Sequence, residues 1–263
     1  MKKQITMMFW GAVAMMMMTH AVNAGATEAE TLKLSKMALS SRLDVQTVAK
    51  DYLYIGNGVA VTKARREMNA ALKAFSAKQK KLNVALNDPK IKNLIAFVEM
   101  NIEELKDVLK KPYGLDNAEL VMDLAEAISE GEKKISKSIH KKSKVKSLKF
   151  AGQRYNVTQI AKYYMAYQSG FKDNVLVHQM KQAVGDLEKA LKVMVNNKEN
   201  TPKMNKILNR IDKQWKIVHQ FYLDIEEGGL PLIVFQTSNR LSEGFHSYIK
   251  EFIKVKAAVG HNK

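Results

Sequence analysis

The chain contains no cysteine, and only four of its 263 residues are proline. Without cysteine there can be no disulfide, no thiolate ligand for a metal and no CxxCH attachment of haem, so the fold must be held by packing alone. Enzyme signatures are missing too. There is no nucleophile elbow, no glycine-rich phosphate loop between a strand and a helix, and no HExxH. No stretch alternates polar and apolar residues for long enough to suggest a half-buried strand. Beyond the first thirty residues no apolar run is long enough to cross a bilayer; "LPLIVF" at 230–235 is the nearest and is far too short. Acid is also scarce, with 26 Asp and Glu against 43 Lys and Arg, giving a formal net charge of +17.

What stands at the start decides which partners that charge can meet. Lys2 and Lys3 precede an apolar run from Ile5 to Met18, followed by "AVNA", with the small residues Val22 and Ala24 placed for a signal peptidase. This is the order of a secretory signal, and a run of about 14 residues falls short of the roughly 20 that span a membrane. Cleavage after Ala24 and a periplasmic mature protein are therefore expected. Seven of the 15 methionines lie in this segment, which removes the suggestion of a copper-binding methionine cluster. For an exported basic chain, anionic lipid, envelope polymer or a small anion is a better match than nucleic acid. Basic runs such as "KAFSAKQKKL" lack the interleaved aromatics of a base-stacking surface and read as solvated helix faces.

The sequence repeats itself. "SSRLDVQTVAKDYLYIGNG" at 40–58 and "GQRYNVTQIAKYYMAYQSG" at 152–170 align at an offset of 112, placing Arg42 on Arg154, Val45 on Val157, Ala49 on Ala161, Lys50 on Lys162, Tyr52 on Tyr164 and Gly58 on Gly170. One inserted residue later, "NDPKI" at 87–91 meets "NTPKM" at 200–204, and "SEG" at 129–131 meets "SEG" at 242–244. A register held with a single slip over about a hundred residues reads as an internal duplication. The expected boundaries are a signal peptide at 1–24, a first repeat at 25–145 and a second at 146–263.

Each repeat reads as four helices. In the first, apolar residues recur at three- and four-residue spacing at 45–53, 64–75, 91–109 and 120–139, the mark of amphipathic helices with one buried face. Gly56 and Gly58 end the first helix, while Asp88-Pro89 and Thr201-Pro202 each supply a side-chain cap followed by a proline at the first helical position. The fold class expected is all-α, two tandem up-down four-helix-bundle units. With no Pro or Gly between Gly131 and Gly152, the fourth helix is expected to run with little or no interruption into the fifth. The only Glu-x-x-His, Glu243 with His246, has Glu130 with Lys133 as its counterpart, so the second half of a di-iron site is missing. No catalytic residue, metal or cofactor is expected.

Arg42 and Arg154 flank the apolar stripe of their helices, with Gln46 and Thr158 one turn further on. A partly buried guanidinium needs an acceptor: a carboxylate, a carbonyl or a bound anion. Lys50 and Lys162 fall off the stripe and are expected to be exposed; Tyr52 and Tyr164 fall in the core. At these residues the chain resembles the PilJ-type domain, the N-terminal sensing domain of type IV pili chemotaxis transducers, related to the nitrate and nitrite sensors NarX and NarQ. That family's first helix carries a motif close to A-G-x-Q-R-M-L-S-Q-R-x-A-K-x-Y. It is matched here by Ala151, Gly152, Gln153 and Arg154, by Ala49, Lys50 and Tyr52, and by Ala161, Lys162 and Tyr164. The resemblance implies an anion site between two first helices, with Arg42 and Arg154 as ligand-binding residues facing each other across an internal pseudo-two-fold axis; Gln46 and Thr158 complete the candidate set. Thr47 and Gln159 replace the motif's second Arg, and Leu43 and Tyr155 replace its Met, so nitrate specificity does not carry over. The chain shows no kinase or methyl-accepting segment, and a membrane-bound transducer or pilus-associated protein is the expected recipient of the signal. The competing expectation is an assembly module docking on envelope, pilus or anionic membrane components.

Overall fold

The structure, a computed structural model, describes residues 28–141, 150 and 152–260. The signal segment expected at 1–24 lies outside them. Among the described residues there are eight α-helices, one 3-10 turn at Ile225–Glu227 and no strand. The helices are α1 (Glu28–Gly56), α2 (Val61–Ala85), α3 (Pro89–Val108), α4 (Leu115–Lys141), α5 (Gln153–Gln168), α6 (Asn174–Val195), α7 (Pro202–Leu223) and α8 (Pro231–Gly260). Among the described residues no helix is long and apolar enough to cross a membrane.

The helix ends follow from local chemistry. The Asp88 carboxylate accepts from the amides of Lys90 and Ile91 at 2.9 and 3.1 Å, and Pro89 occupies the first turn, where a missing N–H costs nothing. Thr201 does the same for α7 through one bond, from the Met204 amide at 3.2 Å. After α1 the chain turns through Gly58 at φ 72°, and after α5 through Gly170 at φ 113°, both in the left-handed region that favours glycine.

The helix contacts are those of two packing units. In the first, α1 lies against α2 and α4, and α3 against α4; in the second, α5 lies against α6 and α8, and α7 against α8. The repeated "SEG" has a packing role in both. A Cβ at Gly131 would meet Val98 Cγ2 at 2.6 Å, and one at Gly244 would meet Ile211 Cγ1 at 2.8 Å, so each glycine lets its helix close on the preceding one. The units meet through α1 and α5, the first helix of each. Arg42 covers Tyr155 near one end of this contact, and Asn57 donates to Ser169 at 2.7 Å at the other. Aligned positions therefore stand opposite each other, and the two helices run parallel and in register.

Central placement changes one expectation. Lys50 and Lys162 are 3% and 0% exposed rather than solvent-facing, because α1 and α5 each touch neighbours from both units and have no free side along this stretch. Tyr52 and Tyr164 are core, as their positions on the stripe require. The expected continuity of α4 into α5 is broken at Phe150, whose φ of 78° a right-handed helix cannot accommodate; 142–149 lie outside the described residues.

Candidate functional site

The contact of α1 with α5 leaves a seam on each side. The first seam runs between α1 and α4 of one unit and α5 and α6 of the other. The second lies between α5 and α8 and, opposite them, α1 and α2. Each receives one of the repeated arginines. Arg42 Nε donates to Ser129 Oγ at 3.2 Å in the first seam, and Arg154 Nε donates to Ser242 Oγ, also at 3.2 Å, in the second. The two serines open the two copies of "SEG". That motif thus holds the arginine of its own unit with its serine and admits the neighbouring helix with its glycine.

The two seams then diverge. The Arg42 guanidinium carbon lies 4.1 Å from the Tyr155 ring centre, a cation–π stack across the units, and Tyr155 O–H accepts from Ser129 Oγ at 3.1 Å. The aligned partner of Tyr155 is Leu43, and among the described residues no ring stacks on Arg154. Instead Arg154 feels Asp44 and, less, Glu243, although burial pulls its guanidinium down from its ordinary range. Asp44 is itself paired with Lys78 at 2.5 Å.

The buried lysines reach across the units. Lys162 is held by Glu126 of α4 at 2.5 Å, and the same carboxylate oxygen accepts from Tyr163 O–H at 3.1 Å. Burial depresses Lys162, with Glu126 acting against that. Lys50 donates to Asn239 Oδ1 of α8 at 2.9 Å and lies 3.0 Å from Asp51 Oδ1. Glu126 and Asn239 are aligned positions, so each first helix projects its lysine onto the last helix of the opposite unit. Asp51, with no exposed surface, is pushed up by burial to about 7.

The four residues singled out from the sequence do not converge on one point. Arg42 lines a cavity of about 270 Å³ in the first seam together with Glu126, Tyr155, Asn156, Gln159 and Asp186, and Arg154 is not part of that lining. Gln46 is fully buried and donates to the Ala125 carbonyl at 3.4 Å. Thr158 donates to the Arg154 carbonyl within its own helix at 2.9 Å. Both serve helix packing. The seam residues that the stripe did not reveal are Ser129, Glu126 and Asn156; the repeated "SEG" was the one sequence signal for any of them. No family model matches the chain, and no curated protein or solved structure matches it either, so the seam geometry itself is the ground for a functional reading.

Proposed function

We propose that the chain is an exported, non-enzymatic sensory protein, two tandem up-down four-helix bundles descended from an internal duplication. It binds a small, at least partly anionic solute where its two first helices meet, and passes the bound state to a membrane partner. The observation that carries this reading is the parallel, in-register packing of α1 on α5, with Arg42 and Arg154 at aligned positions on either side. The resemblance to PilJ-type sensing domains implies such a pairing of first helices between two chains; a duplicated domain would build it within one. The reciprocal lysine contacts and the two Arg–Ser bonds support common descent of the units. A solute wedged in a seam would favour one relative setting of α1 and α5 over another, and only such differential affinity can move a signal.

The test is a thermal-shift and calorimetric comparison of the mature chain with the double variant Arg42→Ala, Arg154→Ala at fixed ionic strength, against small oxyanions, carboxylates and amino acids. A solute that stabilises the wild type and not the variant, with helicity unchanged, is the expected result. Undiminished binding by the double variant would rule out the seam as the site.

A second reading draws on α7. Lys203, Lys206, Arg210 and Lys213 are exposed along a groove of about 780 Å³ beside Ser247 of α8, a basic face suited to an anionic membrane or envelope polymer. Vesicle association that collapses as salt rises, with no solute binding, would favour this assembly role.

A further inference from the structure

Alignment of the two seams places a carboxylate in one and leaves it out of the other. In the second seam Asp44 supplies the main opposite charge for Arg154. The aligned partner of Asp44 is Asn156, so the first seam has a neutral amide at that position. Lys78, which shares Asp44, aligns with Ala190. Arg42 is otherwise seated as Arg154 is, Nε on its serine, with its face fixed on Tyr155; among the described residues neither arginine has a carboxylate within ion-pair distance, Asp44 acting on Arg154 and Glu132 on Arg42 from further off. The cavity of about 270 Å³ in the first seam takes in Arg42 itself, whereas the cavity of about 630 Å³ in the second seam, between Lys63 of α2 and Phe235 and Arg240 of α8, does not take in Arg154. The former is below the size of pockets that take drug-like molecules, which begin at roughly 300 Å³, and suits a smaller solute.

The cavity is also lined by carboxylates from α4 and α6. Glu126 takes its bonds from Lys162, Gln159 and Tyr163 all on Oε1, leaving Oε2 without a hydrogen bond on a side chain 38% exposed. Asp186 of α6 lines the same space with Lys189 at 3.9 Å, a looser pair than Glu130 with Lys133 at 2.8 Å. A plain anion would satisfy Arg42 and be repelled by Glu126 and Asp186; a plain cation would meet the reverse.

We propose that the first seam receives a small amino carboxylate of the α-amino-acid class, its carboxylate on Arg42 and Asn156, the position aligned with Asp44, and its ammonium toward Glu126 and Asp186. This rests on the reading of the chain as a solute-binding protein and gives that reading a chemical class and a single side.

Isothermal titration of the full chain with glycine, L-alanine, L-serine and L-glutamine, beside propionate, ethylamine and nitrate, tests it. At least one amino acid should bind saturably, with propionate and ethylamine at least tenfold weaker. Arg42→Gln should weaken binding at least tenfold, while Arg154→Gln should change it less than twofold. Asn156→Asp, which writes the Asp44 carboxylate into the first seam, should weaken binding at least tenfold without lowering the melting temperature, so that a loss there cannot be misfolding. Propionate binding as tightly as the amino acid, or equal losses in the two arginine variants, would overturn the amino-acid assignment and leave a two-arginine anion site standing. Heat from nitrate alone would do the same. Silence from every probe, nitrate included, would overturn both this inference and the solute-binding reading.

Discussion

The two units share a backbone plan but fill their cores differently. In the first, Glu132 is fully buried on α4 and accepts from Gln79 of α2, with Ser41 within reach of the same amide at 3.5 Å. At the aligned positions the second unit has Phe245 in place of Glu132 and Leu191 in place of Gln79, and both are buried. Ser136, which shares a 2.8 Å hydrogen bond with Ser35, aligns with Ile249. The second unit also gathers rings that the first lacks, Trp215 against Tyr222 and Tyr222 against Tyr164. One helix framework thus holds either a polar layer or an aromatic one, even though the polar layer leaves Gln79 Oε1 and Glu132 Oε2 buried without a partner.

The sharpest way to break that comparison is to move one half of the polar layer. Phe245→Glu would bury a carboxyl opposite Leu191, where no amide waits for it, and remove a core ring as well. The expected loss is on the order of 4 kcal/mol in urea unfolding. Adding Leu191→Gln should recover part of it, since the pair rather than the acid is what the site accepts. A cost below about 1 kcal/mol for the single change would mean that the glutamate of the first unit does not depend on its partner.

A smaller and pH-dependent difference follows from the same position. Burial pushes Glu132 up from 4.5 to about 8. Its folded form keeps a proton that the unfolded chain releases above pH 4.5. The stabilisation is therefore complete below that pH and is lost as pH rises toward 8, at up to about 1.4 kcal/mol per pH unit. Glu132→Gln should remove this decline, leaving the one from Asp51, which ends near pH 7. Hydrogen exchange should place the alkaline loosening in α4 and not in α8, whose aligned residue is a phenylalanine. Equal loosening of both helices would remove Glu132 as the cause.

The fold was far more legible in the sequence than the site. Apolar spacing marked the helices, and Asp88, Thr201 and the glycines marked their ends, because capping and periodicity are local and each helix announces them by itself. The burial of Lys50 and Lys162 was not local. A helical wheel assigns one face to the core, but α1 and α5 have neighbours from both units, so a residue off the stripe can still be enclosed. Their nearly unbroken runs "VAKDYLYI" and "IAKYYMAY" carried the hint, since a helix apolar on most sides is a central one. That Arg42 and Arg154 serve opposite seams could not be read from either repeat alone, because it depends on which side of the α1–α5 contact each "SEG" serine approaches.

The repeated serines offer the finest test of how alike the units remain. Ser242 contributes one bond, from Arg154, whereas Ser129 accepts from Arg42 and also donates to Tyr155 of the other unit. Each net hydrogen bond is worth roughly 0.5–1.5 kcal/mol. Ser242→Ala should therefore cost about 1 kcal/mol and Ser129→Ala about 2 kcal/mol, measured under identical conditions. Tyr155→Phe isolates the difference. Ser129 and Tyr155 exchange a single bond, so the double variant Ser129→Ala, Tyr155→Phe should lose less than the two single losses combined, and the shortfall measures what that bond contributes between units. If the serine variants cost the same and the cycle shows no coupling, the two arginine seats are equivalent, and the difference between the seams lies entirely in Asp44 and Asn156.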